Sequence, residues 1–401
     1  MMKKIAKSYD YSLILAIFLL VTFGLVMVYS SSMITAVARF HVESDYFFEK
    51  QVLAAILGMI AFTGAALIPY RAYLNSKFIK TLIFASILGL ICVFIFGHVA
   101  GNAQSWIKLA GRSIQPGEFV KLSVIIYLAA VYEKKQSYIN KFGAAVLPPL
   151  LFTFVICLFV AVQPDLGTAM IIGLIALTMV VCSGMGLINL VKLAVLGFAG
   201  LAAMTPFLLL NHDKIITPTR IARFTGFMDP FKTQGTEGYQ LVNSYYAIGS
   251  GGLTGLGLGQ SVQKYGYLPE SHTDFIMAII AEETGIFGVL FVLITLCFII
   301  FKGFHIARKC QDAFGTLLAV GISSMLGIQA FINLGGLTGL IPITGVTLPF
   351  ISYGGSSLLL LLISMGILVN VSMFVNYRNN YLNDGDTVSN VTQIGKTEAS
   401  Y

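Results

Sequence analysis

Charge is scarce in this chain. Asp, Glu, Lys and Arg make up 11% of its 401 residues, where an ordinary soluble domain carries about 25%. With 57% hydrophobic residues and a mean hydropathy of +0.84, a water-soluble globular domain is excluded. Cysteine is sparse too. Cys92, Cys157, Cys182, Cys297 and Cys310 fall in apolar runs or at their predicted inner edges. None is placed for an extracellular disulfide, and none has a His partner at metal-ligand spacing. The stretch Gly249–Gly259 is rich in glycine, but no strand–helix unit surrounds it, which argues against a nucleotide-binding loop. It reads instead as backbone that turns sharply or approaches a neighbour closely. Ser356 and Ser357 lack a His or Asp nearby in sequence, so a serine nucleophile is rejected. No internal repeat is visible.

Long apolar runs are what the chain has in abundance. Ten predicted spans lie at 12–33, 51–68, 78–97, 117–132, 143–161, 166–182, 189–210, 275–301, 313–337 and 354–375, each near the length that crosses a bilayer as a helix. The fourth and sixth are short and need flanking residues to cross. The predicted fold class is therefore an all-α polytopic membrane protein of about ten transmembrane helices. A large extracellular loop, 211–274, separates spans seven and eight. Residues 1–375 form the membrane domain, and 376–401 are a polar tail expected to be mobile in the cytoplasm.

Orientation follows from the basic residues. With the N-terminus inside, most of the 25 Lys and Arg fall on the inner side, and the short outer loops hold only Arg39, Lys50, Lys108 and Arg112. Both termini are thus predicted inside. The net charge of +7 is then a topology signal and no argument for nucleic acid. Ala36-Val37-Ala38 has the look of a signal-peptide cleavage site, but the long first run and the later spans favour a retained helix. The 211–274 loop keeps Phe224, Phe227, Phe231, Tyr239, Tyr245, Tyr246, Tyr265 and Tyr267, so it is predicted to pack on the bundle.

The most informative segment is Tyr267–Gly285, with Glu270, His272, Asp274, Glu282 and Glu283 running straight into apolar sequence. Acids at the mouth of a membrane helix are usually kept for function. Asp274 is the candidate general base; its alternative is to satisfy a helix end or pair with Lys264. A helix starting at Pro269 would place Glu270 and Asp274 on one face. Arg220, Arg223, Lys232 and Lys264 in the long loop, with Lys108 and Arg112 in a shorter one, suit a phosphate-bearing substrate. They are equally able to pair with nearby acids or bind lipid phosphates. Glu118 and Lys121, three apart at the start of the fourth span, are predicted to compensate each other or to line a polar cavity. Asp165 in Gln163-Pro164-Asp165-Leu166-Gly167-Thr168 is predicted to cap the sixth span.

Taken together, the chain resembles the SEDS family (shape, elongation, division and sporulation) from about residue 10 to 375. The resemblance rests on Tyr29-Ser30-Ser31-Ser32, Gln115-Pro116-Gly117-Glu118 with Lys121, Gln163–Thr168, Gly249–Gly259, Leu268–Phe275 and Leu348–Ser357 in order. The Gln-Ser-Trp and Gln-Pro-Gly-Glu variants are most like the FtsW branch of Gram-positive bacteria. Ser105 stands where many members have Arg, Gly117 where Ser is commoner, and Thr284 where Leu is commoner. The first departure bears on any phosphate-binding role of that loop.

The resemblance implies a peptidoglycan glycosyltransferase of the cytoplasmic membrane that polymerises lipid II, the undecaprenyl-pyrophosphate-linked disaccharide-pentapeptide. The wall it builds would be that of the division septum. It implies that Asp274 is required for catalysis and that Glu118 and Lys121 sit in a central cavity. Arg220, Arg223, Lys264, His272 and Lys108 are expected on the substrate side. A class B penicillin-binding protein and other division proteins are the implied partners. No cofactor is required and no dedicated metal cage exists in the sequence, though a divalent cation can bridge pyrophosphate and carboxylate. Rival readings are a role in elongation or sporulation, a lipid II flippase using Glu118, Lys121, Glu282 and Glu283, or a non-catalytic scaffold.

Overall fold

The computed structural model describes residues 2–100, 103–109, 112–163, 165–210 and 224–381. Arg220 and Arg223 lie outside the described residues, as do residues 382–401 of the tail.

Apolar runs become helices here because a chain surrounded by lipid must satisfy its own backbone. Four helices come first: α1 (Met2–Ser8), α2 (Tyr11–Phe40), α3 (Tyr46–Leu67) and α4 (Ser76–Phe96). The segment that follows is a small antiparallel meander, β1 (His98–Ala100), β2 (Ala103–Leu109) and β3 (Arg112–Ile114). Next are α5 (Pro116–Lys135), α6 (Phe142–Ala145), α7 (Leu147–Val162), α8 (Leu166–Val181) and α9 (Leu187–Leu210). The last four are α10 (Tyr239–Gly251), α11 (Ile276–Lys309), α12 (Ala313–Leu337) and α13 (Gly355–Tyr381).

Side-chain caps fix several starts. Asp10 accepts from Leu13 N, Asn75 from Lys77 N, Asp165 from Thr168 N and Asp312 from Gly315 N, each satisfying an N–H that the helix leaves free. Each predicted apolar run falls on helical sequence, the 143–161 run being divided between α6 and α7. Among the described residues, six helices are long and apolar enough to cross a membrane on their own: α2, α3, α4, α11, α12 and α13. α7, α8 and the Leu187–Gly197 part of α9 are apolar but shorter. The 20-residue α5 carries Glu118 and Lys121 in its first turns.

Three expectations change. The loop after α4 contains a sheet, with Trp106 and Ile107 on β2 paired to His98 and Ile114. The eighth predicted span, α11, starts at Ile276, next to the predicted 275, and does not extend back to Pro269 as the shared face of Glu270 and Asp274 would require; 270–275 form turns. The tail does not begin at residue 376, because α13 runs on to Tyr381. There Asn376 Nδ2 donates to Ser8 O at 3.1 Å, and the Lys4 ammonium lies over the Tyr381 ring.

α12 and α13 form the centre, each 78% buried over its apolar window against 22% for α4. Close helix contacts are made at small residues, as membrane packing favours. α3 meets α13 at Gly58 and Gly366, and a Cβ on Gly366 would collide with Phe62 O. α11 is broken at Gly285, where φ is +63°. The glycine-rich 249–259 stretch docks on this break backbone to backbone. Leu256 N donates to Glu282 O (2.9 Å), Gly257 N to Glu283 O (3.0 Å), and Ile286 N to Gly252 O (3.2 Å). The carbonyls freed by the break are thereby satisfied. A side chain at Gly255 or Gly285 would drive into the facing backbone.

Candidate active site

Asp274 is the last residue but one before α11 and is partly buried. Its carboxylate stands by the positive end of the helix dipole, a favourable place for an anion. Thr273 Oγ1 lies 3.1 Å from Asp274 Oδ1 and 2.9 Å from Glu270 Oε2, so one hydroxyl sits between two carboxylates. Asp274 lines a small recess with Asn333, Gly336, Thr344, Gly345 and Val346.

The turn carrying Asp274 is tied from several sides. Ser271 Oγ donates to Ser31 O on α2 (3.0 Å), and Arg39 Nη1 reaches Pro269 O (3.3 Å) and Glu270 Oε1 (3.4 Å). From the other side, Tyr353 N donates to His272 O (2.9 Å), Ser352 Oγ to Thr273 O (2.6 Å) and Asn333 Nδ2 to Asp274 O (2.8 Å). Gln51 holds the 348–354 segment in turn, with Nε2 donating to Ser352 O and Oε1 accepting from Gly354 N, both at 3.1 Å.

The other sequence signals converge on the same loop. A Cβ on Gly167 would sit 3.1 Å from Val346 Cγ2, and one on Gly117 would sit 3.1 Å from Thr168 Cγ2. Gln115 Nε2 donates to Asp165 Oδ2 (2.9 Å), and Gln115 N to Ser356 Oγ (3.4 Å). Glu118 and Lys121, one step along α5, are paired at 2.7 Å with Lys121 buried. Segments 115–121, 165–168, 268–275 and 344–357 therefore form one connected structure. Asp274 and the Glu118–Lys121 pair are linked through intervening backbone.

Two expected substrate contacts are corrected. Lys264 does not face an open site. Its ammonium is buried 2.8 Å from Glu283 Oε1, with Ser30 Oγ at 3.2 Å. His272 is also buried, against the rings of Phe47 and Tyr353. Burial and the nearby Arg39 charge push its pKa down to about 4, so it is neutral at ordinary pH and acts as packing. Lys108 lies on β2 opposite Ser113. Glu282 is used internally, accepting from Ser261 Oγ, Val262 N (2.9 Å) and Gln263 N (3.4 Å). Among the described residues, no group of three or more His, Cys, Asp or Glu is arranged to hold a metal ion.

Sequence reasoning missed Gln51, Asn333 and Ser352. A signal existed for two of them. Gln51 and Asn333 are amides inside apolar runs, and polar groups there demand a partner.

The comparisons with known proteins agree over nearly the whole chain. Residues 11–377 match the cell cycle protein family of FtsW, RodA and SpoVE. The probable peptidoglycan glycosyltransferase FtsW of Bacillus subtilis (strain 168) is 64% identical over 380 residues, covering 95% of this chain and 94% of that one. Stage V sporulation protein E of the same organism is 39% identical over 370 residues, covering 92% and 98%. A chain of a peptidoglycan synthase complex that coordinates polymerization and crosslinking has the same fold, with a TM-score of 0.72 at 24% identity over 93% of this chain and 98% of its own. The rod shape determining protein RodA of Thermus thermophilus matches with a TM-score of 0.63 at 25% identity, covering 93% and 98%. The chain is a multi-pass membrane protein and belongs to the FtsW/RodA/SpoVE family of cell cycle proteins.

Proposed function

We propose that this protein is a peptidoglycan glycosyltransferase that polymerises lipid II at the outer face of the cytoplasmic membrane, serving septal wall synthesis in cell division. The observation that carries the reading is the carboxylate of Asp274 at the mouth of α11, on a turn whose backbone carbonyls are bound by Asn333 and Ser352, in a chain 64% identical to a probable peptidoglycan glycosyltransferase. The higher identity to that relative than to the sporulation protein favours the division role.

The chemistry asks little of the protein. A sugar on a lipid pyrophosphate already carries a good leaving group, so a general acid is dispensable. What is needed is a base for the attacking hydroxyl and positive charge for the departing pyrophosphate. Asp274 is the base, taking the proton of the acceptor hydroxyl on lipid II. The growing strand is the donor, and direct displacement inverts its anomeric centre, turning an α-linked donor into a β-linked product. Arg220, Arg223 and Lys108 remain the basic residues assigned to the pyrophosphate. Lys264 drops out because Glu283 already neutralises it. The hard oxygens of Asp274 and Glu270, gathered on Thr273, suit a divalent cation, which would add positive charge beside the pyrophosphate. The Glu118–Lys121 pair serves the polar interior beneath the site.

A class B penicillin-binding protein is the proposed crosslinking partner, alongside other division proteins. Ten spans with both termini in the cytoplasm fit the distribution of Lys and Arg. A transport role is less well supported, since Glu282 and Glu283, two of the four residues such a path would use, are committed to internal contacts.

The test is lipid II polymerisation by the purified full-length chain. Glycan polymer is expected from the wild-type chain and none from Asp274→Asn at unchanged melting temperature. Transfer of lipid II across vesicles without polymer would overturn the enzyme reading. A well-folded Asp274→Asn protein with near-normal synthesis would overturn the choice of base.

A further inference from the structure

Asn333 lies in the last turns of α12 and is buried. Its Nδ2 stands 2.8 Å from Asp274 O and 2.7 Å from Val346 O. Both neighbours are carbonyl oxygens and can only accept. The atom between them must therefore be the amide nitrogen, which fixes the orientation of the side chain. Its two N–H groups go to two separate pieces of backbone, the turn that ends in Asp274 and the loop that leads to α13.

The two preceding carbonyls are held in the same manner. His272 O accepts from Tyr353 N and Thr273 O from Ser352 Oγ. Three successive carbonyls are thus each bound by a donor from residues 333–353. Turn carbonyls that bond water tolerate small movements; these are fixed to a buried frame. With the peptide at Asp274 fixed, the direction of its Cα–Cβ bond is fixed, and only the side-chain torsions remain to place the carboxylate. Of the three donors, Asn333 alone bonds Asp274 itself and lines the recess beside it. Through Val346 it also ties Asp274 to the Gly167–Thr168 segment and so toward Glu118.

We propose that Asn333 is the positioning residue for Asp274, holding that peptide and the Thr344–Val346 loop at one separation so that the carboxylate meets the acceptor hydroxyl in a single orientation. The inference rests on the reading of Asp274 as the base. Misplacing a catalytic group by about 1 Å costs on the order of 100-fold in rate. A contact that only stabilises the fold leaves the rate per folded molecule unchanged.

The experiment uses the full-length chain with lipid II and compares wild type, Asn333→Ala, Asn333→Asp, Ser352→Ala and Asp274→Asn. Melting temperature, KM for lipid II and kcat per folded molecule are measured across pH. Asn333→Ala is expected to lower kcat by about 10- to 100-fold with KM changed less than about twofold. Asn333→Asp keeps the shape but sets an acceptor against two carbonyl oxygens. Relative to wild type at the same pH, its kcat is expected to fall below that of Asn333→Ala and to recover as acidification lets the new carboxyl donate. A full kcat for Asn333→Ala, or a rise in KM alone, would overturn the proposal. Where the Asn333 variants do not fold, Ser352→Ala decides, since loss of the adjacent donor must lower kcat at constant KM and an unchanged kcat refutes the clamp. An inactive Asp274→Asn beside a fully active Asn333→Ala rejects positioning alone, whereas an active Asp274→Asn rejects the base itself.

Discussion

Lys264 and Glu283 form an ion pair at 2.8 Å with both side chains at or below 1% exposure. Ser30 Oγ donates to the same carboxylate and lies beside the ammonium. The pair therefore joins the long loop before α11 to α2 and α11 in the protein interior. Removing one member strands the other charge, a change that costs about 3–5 kcal/mol in buried pairs. Glu283→Gln is expected to lower the melting temperature in detergent sharply. The double change Lys264→Met with Glu283→Leu should recover most of the loss. A double variant as unstable as the single one would show that the pair does more than neutralise itself.

Glu118 and Lys121 invite the same comparison with a different readout. Glu118→Ala leaves a buried ammonium and should express and melt worse than a double change to apolar residues. If the double variant is stable yet inactive on lipid II, the pair serves the polar interior of the site. If it is stable and active, the two charges exist for each other.

His272 gives the fold a defined acid limit. Burial among Phe47 and Tyr353, with Arg39 nearby, lowers its pKa to about 4 from an ordinary value of 6.5. The folded state thus binds fewer protons than the unfolded one between these values. The stabilisation is complete above about pH 6.5 and is lost as pH falls toward 4, amounting to at most about 3 kcal/mol. The melting temperature is expected to drop over that window, and His272→Phe should flatten the decline attributable to this group. An identical pH profile in the variant would assign the acid limit elsewhere.

The partner prediction concerns rate. The turn bearing Asp274 is approached from outside by Arg39 and Glu270, a half-exposed pair at 3.4 Å, and such surface contacts exchange readily. A class B penicillin-binding protein seated near this loop is expected to raise kcat for lipid II more than it lowers KM, because a partner shifts an equilibrium only through contacts that differ between states. Binding without any change in the maximal rate would sink this idea.

Much of this architecture was legible in the sequence, for a physical reason. An apolar run in lipid satisfies its backbone most simply as a helix, so the predicted runs fall on helices, while α10, which lies in the predicted loop, was not read. Asp165 as a cap was readable because capping is local. The seat of Asp274 was not. Its donors, Asn333, Ser352 and Tyr353, lie far along the chain, and hydrogen bonds to backbone carbonyls leave no pattern in residue type at the accepting end. Lys264 misled for a related reason. A lone Lys in a polar loop resembles a phosphate ligand until its acidic partner, nineteen residues on inside a helix, is seen beside it.

The distance in sequence between Asp274 and its holders has a consequence for biosynthesis. Thr273 and the Ser352 hydroxyl that binds it are separated by 79 residues. At about 5–20 residues per second of translation, the turn carrying Asp274 is made roughly 4–16 seconds before Ser352. During that interval the nascent chain carries the Asp274 turn without the donors that hold its carbonyls. If Asp274 is the base proposed above, synthesis of the final helices is the event that completes the site, and a chain truncated before them is expected to be inert toward lipid II.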